Sequence, residues 1–328
     1  MTNLILLLLL GFILLIKGAG WLVDGSIITA RKLNVSPLII GLTIVAFGTS
    51  APELVVNVIS ALNEDAAGIG LGNIIGSNIA NIGLILGASG LIFPLLVKKS
   101  TTTREIPFMV FSGAVFLVLV GDKILNTGKE NVLNLTDGIV LLLFFAIFLY
   151  YMAYSVFRGK TGKVAEEFAK EYDHHKQVKT SWTKTAIITA AGMAGIIFGG
   201  QLVVQNGAEI ARLLGVSDIL IGLTVIAVGT SLPELSTSLV AAMKKEPDIA
   251  VGNIVGSNIF NTFFILGINA VISPIPFEAT LFMDLLLMVA LSALLYMMSL
   301  SNGKITRSEG FSLLLIYIGY ITFTIIRG

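Results

Sequence analysis

Residues 41–54 read GLTIVAFGTSAPEL and residues 222–235 read GLTVIAVGTSLPEL, with 10 of 14 positions identical. A second pair follows each copy: Gly72–Asn81, GNIIGSNIAN, and Gly252–Asn261, GNIVGSNIFN, identical at 8 of 10 positions. Glu53 and Glu234 stand 181 residues apart, and Asn73 and Asn253 stand 180 apart, so the repeat unit spans about half the chain. Each first motif lies in a long apolar run and carries the only acidic residue in that run's interior. A carboxylate at such a depth is costly and faces a cavity, a partner or an ion. Any fold for this chain must house two of them in equivalent places.

The apolar runs set the medium. Charged residues make up 12% of the 328 positions, against roughly 25% in soluble domains. A bilayer core of about 30 Å takes roughly 20 apolar residues per helix. That ruler gives ten spans, at 4–24, 37–62, 69–93, 105–121, 133–156, 184–211, 217–243, 248–272, 279–299 and 309–326. The opening MTNLILLLLLGFILLIKGAG lacks the basic n-region and small-residue cleavage site of a signal peptide, and reads as the first span. The longest polar break, Arg158–Thr183, separates a unit at 1–157 from one at 184–328. Around Val164–Tyr172 its pattern fits a short surface helix or a plain linker equally well. Counting Lys184 at the edge of the sixth span, Lys and Arg number 16 in the odd-numbered connections and 4 on the opposite side. This bias puts the odd-numbered connections in the cytoplasm and both termini outside. Five spans is an odd number, so the second unit enters the bilayer from the other side. The expected fold is an all-α membrane protein of ten helices in two inverted five-helix repeats, the architecture of secondary transporters with a midplane site.

Other classes lose ground on composition. A net charge of +1 without a basic stripe excludes nucleic acid as a partner. Absent cysteine removes disulfides, thiolate metal sites and cysteine nucleophiles. The two histidines, His174 and His175, sit side by side in the most polar segment and read as a solvated loop. With no histidine, cysteine or paired aspartate in the spans, no enzyme is expected. A cation channel would assemble its ring of carbonyls or carboxylates by symmetry around a pore, whereas here one chain supplies inverted halves.

The motifs have their own chemistry. Thr49 and Glu53 lie at i and i+4 with Ser50 alongside, so their oxygens line one helix face. Pro52 withholds a donor and clashes with the carbonyl at Gly48, which eases the distortion. Carbonyls of this turn, that of Ala46 among them, are then free to act as ligands. Ala227, Gly229, Thr230, Ser231, Pro233 and Glu234 repeat the arrangement. In the second motif Asn73, Ser77 and Asn81 form an i, i+4, i+8 stripe, matched by Asn253, Ser257 and Asn261. Gly72, Gly76, Gly252 and Gly256 have the small-xxx-small spacing of close helix packing. Oxygen is the only ligand type on offer, which suits a hard cation over zinc or copper. Calcium takes 6–8 oxygens, and two glutamates neutralise one Ca2+. The same carboxylates could instead serve several monovalent ions in subsites, and mutually exclusive occupancy is a physical basis for exchange.

GTSAPE and GTSLPE, each followed by a GN–GSN segment, resemble the repeats of the calcium/cation antiporter superfamily, and most closely its prokaryotic sodium/calcium exchanger branch. The resemblance spans the whole chain. It implies four central ion-binding helices, the second, third, seventh and eighth, with the first and sixth moving against them. It implies ion ligands at Glu53, Glu234, Thr49, Ser50, Thr230, Ser231, the carbonyls of Ala46 and Ala227, and Ser77, Asn81 and Ser257. Many such exchangers carry Asp where this chain has Asn261, which removes a charge from that ligand position and bears on sodium coupling. Ca2+ and Na+ are the implied substrates, with no cofactor and a functional monomer. Proton or potassium coupling is the alternative within the superfamily, although the chain lacks a GNxxE proton-exchanger signature. Among the remaining charges, Asp24, Asp122, Asp137 and Asp284 are expected at helix ends. Gln201, Gln205 and Glu209 are expected on an access path or on an interfacial face.

Overall fold

A computed structural model describes residues 1–62, 67–123, 131–159, 180–215 and 227–327. Among these the helices are α1 (Thr2–Leu33), α2 (Pro37–Thr49 and Ala51–Leu62), α3 (Gly70–Ile92) and α4 (Thr101–Leu119). They continue as α5 (Leu135–Gly159), α6 (Trp182–Leu213) and α7 (Ala227–Thr230 and Leu232–Met243). The last are α8 (Pro247–Ile272), α9 (Ala279–Ser301) and α10 (Arg307–Arg327). Eight are single helices long and apolar enough to cross a membrane, and the two segments of α2 make a ninth if they are one span. The chain is a multi-pass membrane protein.

Burial sorts the helices into a centre and a shell. In its most apolar window α8 is 94% buried and α3 78%, against 22% for α1 and 17% for α10. The outer helices present Leu6, Ile13, Tyr150, Phe198 and Ile318 outward, an apolar surface suited to lipid. Core helices carry wide π-turns at equivalent places, Asn81–Leu86 in α3 and Phe260–Ile265 in α8. In α2, Ser36 caps the start by accepting from Leu38 N at 3.2 Å, and Pro37 takes the first helical position. The helix then breaks at Ser50, and its two segments are bent by 48°.

The 32-residue α1 and α6 each extend ~48 Å, well beyond a ~30 Å hydrocarbon core. They run antiparallel with backbones in contact. A Cβ on Gly18 would lie 2.8 Å from the Gly192 carbonyl, and one on Gly192 would lie 2.5 Å from Leu22 N. Farther along, Gly11 meets Gly199 and Gly25 meets Thr189.

Four two-residue strands depart from the all-α expectation. β1 (Leu95–Leu96) pairs antiparallel with β4 (Lys304–Ile305), and β2 (Val132–Leu133) with β3 (Ile275–Pro276). They lie in connections between helices, where extended segments meet and share backbone hydrogen bonds. Ion pairs also tie the helices together: Lys98 to Asp248 at 2.8 Å, Lys244 to Asp24 at 2.6 Å and Arg327 to Asp284 at 2.8 Å.

Some expected placements change. Asp24 lies inside α1, because that helix continues to a left-handed cap at Asn34. Asp137 does serve a helix start, accepting from Asn134 N at 2.9 Å. Asp284 is in the first turn of α9 but is buried under Arg327. Gln201, Gln205 and Glu209 are all exposed, and Glu209 pairs with Arg212 at 3.2 Å. His174, His175 and the Val164–Tyr172 segment lie outside the described residues.

Candidate ion-binding site

The breaks in α2 and α7 create the site. Ser50 and Ser231 occupy the two kinks with non-helical backbone, φ −83° and −85°. Each kink starts a new helical segment, and the first turns of those segments hold Glu53 and Glu234. A helix N-terminus favours negative charge through its dipole and free N–H groups. Neither glutamate faces lipid, since each is 1% exposed.

The two kinks exchange partners. Ser50 Oγ donates to Glu234 Oε1 at 2.8 Å, and the Thr49 and Ser257 hydroxyls lie beside the same carboxylate. Thr230 and Ser231 stand beside Glu53 in the mirrored way, and the two carboxylates lie close enough for their charges to interact. Ser231 Oγ reaches Ser77 Oγ at 3.4 Å, and Ser257 Oγ reaches the Ala46 carbonyl at 3.5 Å. Thr49 Oγ1 donates to Asn253 Oδ1 at 3.0 Å, and Thr230 Oγ1 to Asn73 Oδ1 at 3.3 Å. Thus Asn253 and Asn73 touch the threonines through their oxygens. Asn81 and Asn261, 1% exposed each, follow in α3 and α8 at the start of the π-turns.

The carbonyl of Ala46 is not released as expected. It keeps its helical bond from Ser50 N at 3.0 Å and also accepts from Thr49 Oγ1 at 3.2 Å. Pro52 lacks an N–H, so the helical bond that is withheld is the one to the Gly48 carbonyl. Ala227 begins the described part of α7 at the place equivalent to Ala46.

Of the motif glycines, Gly252 and Gly256 allow close approach. A Cβ there would lie 2.8 Å from the Leu38 carbonyl and 2.6 Å from that of Leu42. Gly72 and Gly76 have no such neighbour among the described residues. The segment equivalent to Gly41–Val45 is 222–226, which lies outside them.

Four oxygens in this cluster are buried without a hydrogen-bond partner: Glu53 Oε2, Glu234 Oε2, Asn81 Oδ1 and Asn261 Oδ1. All are acceptors, and a buried acceptor left unpaired costs about 1–3 kcal/mol. A cation between the two interacting carboxylates would satisfy theirs. No group of three or more His, Cys, Asp or Glu suited to a metal occurs among the described residues. A cation here would therefore rest on two carboxylates and neutral oxygens, a donor set that suits Ca2+ with its 6–8 oxygen ligands.

Sequence reasoning passed over Asn78 and Asn258. They fall off the i, i+4, i+8 stripe, and only their recurrence in both GSN segments signals them. Asn57 and Asn269 were also missed. Asn269 Nδ2 donates to Asn57 Oδ1 at 3.0 Å, and Asn57 Nδ2 donates to the Glu53 carbonyl at 2.9 Å. The equivalent positions in the other half are Ser238 and Ser89, so no repeat pattern marks this pair.

Residues 3–154 and 184–326 match the family described as sodium/calcium exchanger protein. CaxA of Alkalimonas amylolytica is 39% identical over 316 residues, covering 95% of each chain. The sodium/calcium exchanger MaX1 of Methanosarcina acetivorans is 32% identical over 339 residues, covering 96% of this chain and 97% of its own. A solved structure of the sodium-calcium exchanger NCX_Mj superposes with a TM-score of 0.81 at 33% identity, covering 98% of each chain. With both halves matched, and a buried oxygen cluster where the repeats meet, this chain is a cation antiporter of the sodium/calcium exchanger family.

Proposed function

We propose that the protein exchanges Ca2+ for Na+ by alternating access at a site built on Glu53 and Glu234. The other ligands in this reading are Thr49, Ser50, Thr230, Ser231, Ser77, Ser257, Asn81, Asn261, the carbonyl of Ala227 and that of Ala46, which would meet the ion while keeping its helical bond. The observation that carries it is the crossed pairing of Glu53 and Glu234 with the hydroxyls of the opposite kink, each carboxylate keeping one buried oxygen without a partner. Two carboxylates balance one Ca2+, or are shared among Na+ ions, but cannot serve both sets at once. An unloaded site would leave two buried charges without compensation, and this opposes movement of the empty carrier.

The chain would work as ten spans in two inverted repeats with both termini outside, and as a monomer. The crossed contacts between equivalent motif residues support the inverted arrangement. Sodium coupling draws on the names of MaX1 and NCX_Mj. The test is 45Ca2+ uptake into proteoliposomes loaded with Na+, K+ or protons in turn. Uptake driven by outward Na+ supports the proposal. Uptake that ignores the Na+ gradient and follows a proton or K+ gradient replaces the counter-ion.

A further inference from the structure

The unpartnered oxygens of Asn81 and Asn261 raise a question of polarity. A side-chain amide has an oxygen end that attracts a cation and an NH2 end that repels it. Something must hold each amide the right way round, and the candidates are the residues that sequence reasoning passed over.

Asn78 Nδ2 lies 3.5 Å from Met288 Sδ and donates to Thr262 Oγ1 at 2.9 Å. Asn258 Nδ2 lies 3.6 Å from Met109 Sδ and 3.4 Å from the Asn78 carbonyl. A thioether sulfur and a backbone carbonyl only accept, so these contacts select the NH2 ends of Asn78 and Asn258. Their oxygens must then point the other way. Asn78 Oδ1 accepts from Asn261 Nδ2 at 3.1 Å, and Asn258 Oδ1 accepts from Asn81 Nδ2 at 2.8 Å. With its NH2 engaged, each of Asn261 and Asn81 turns its Oδ1 away from these contacts, and those are the atoms without partners. All six residues are buried, none more than 2% exposed. The same chain of contacts appears twice, once from each half.

We propose that Asn78 and Asn258 are positioning residues: anchored on the sulfurs of Met288 and Met109, they fix the amides of Asn261 and Asn81 with the oxygen toward the ion. This rests on the site reading given above. The polarity originates outside the motif helices, in methionines of α9 and α4, and passes through one amide to the next. Neither Asn78 nor Asn258 needs to touch the ion.

The test uses the purified full-length protein, with 45Ca2+ binding and its competition by Na+ as readouts and thermal unfolding as the control for folding. Asn78→Leu removes the acceptor and frees the Asn261 amide to turn, so 45Ca2+ affinity is expected to fall about tenfold. Asn261→Ser replaces the amide with a hydroxyl, which rotates to accept or donate in any direction and needs no fixing. In the Asn261→Ser background, Asn78→Leu is therefore expected to cost less than about twofold, a non-additivity that a double-mutant cycle reads directly. A packing role for Asn78 would give equal losses in both backgrounds, and that result overturns the proposal. If Asn261→Ala alone leaves 45Ca2+ binding and Na+ competition unchanged, Asn261 is no ligand and the relay falls, while the reading built on Glu53 and Glu234 stands or falls separately with Glu53→Gln and Glu234→Gln. Asn258→Leu, with and without Asn81→Ser, repeats the cycle in the other half and decides the matter if Asn78→Leu does not fold.

Discussion

Glu53 and Glu234 each bring a charge into a place where water does not compensate it, and their partners show how. Ser50, from the opposite kink, donates to Glu234 Oε1 at 2.8 Å, yet Oε2 of each carboxylate has no protein donor. Glu53→Gln and Glu234→Gln keep the shape and remove one of two charges. Each is expected to lower 45Ca2+ affinity at least about tenfold and to abolish exchange, since hydrogen bonds and contacts to charged groups are worth about 1.5–3 kcal/mol. Retained exchange in both variants would remove the glutamates from the site. Ser50→Ala takes away a donor but no charge, and a smaller loss, about threefold to tenfold, is expected in the same assay. The glutamates and hydroxyls were legible in the sequence because a polar atom in an apolar run needs a reason to be there. Their crossed pairing was not, because Ser50 and Glu234 are 184 positions apart and only the fold joins them. The amides of Asn78 and Asn258 were hidden for a related reason. A stripe drawn at helical spacing finds residues that share one face, while a residue that orients its neighbour lies off that face.

At the level of the elements, hydropathy located the helices but misjudged where they stop. The apolar run of α1 weakens at Asp24, and the sequence reading closed the span there. The helix continues through Arg31 and Lys32 until Asn34 adopts φ 54°. Charged residues end a hydrophobic stretch without ending a helix, since they leave the i→i−4 hydrogen bonds intact. The break in α2 was legible from Pro52, but its location was displaced. The chain departs from helix at Ser50, so the Ala46 carbonyl stays bonded. The contact between α1 and α6 tests the packing argument. A Cβ on Gly192 would lie 2.5 Å from the backbone nitrogen of Leu22, which cannot move aside as a flexible side chain would. Gly192→Ala is expected to destabilise the protein by about 1–3 kcal/mol through overpacking, read as a lower unfolding temperature in detergent. Gly319→Ala on α10 is the control, because nothing lies within 4 Å of its added methyl. There the ordinary helical gain of Ala over Gly, about 1 kcal/mol at most, is expected. Equal behaviour of the two variants would mean that the α1–α6 contact is not tight.

On the scale of the whole molecule, the connections provide a check on topology that hydropathy alone could not supply. If every helix crosses once, connections after odd-numbered helices share one membrane face and those after even-numbered helices share the other. β1, after α3, pairs with β4, after α9, and β2, after α4, pairs with β3, after α8. Lys98, after α3, reaches Asp248 at the start of α8, and Arg327 at the end of α10 reaches Asp284 at the start of α9. Every such link joins connections of the same parity, as ten alternating spans require. In the proposed arrangement, the excess of Lys and Arg in the odd-numbered connections places that face in the cytoplasm. Because the chain has no cysteine, single cysteines report sidedness against a silent background. Lys99→Cys, exposed after α3, is expected to react with a membrane-impermeant maleimide only after permeabilisation. Glu278→Cys, exposed after α8, is expected to react in intact cells. Labelling of both from one side would contradict the parity of the connections and with it the inverted relation of the halves. Labelling with the two sides exchanged would preserve the fold and reverse only its orientation, so the experiment separates the architecture from its direction in the membrane.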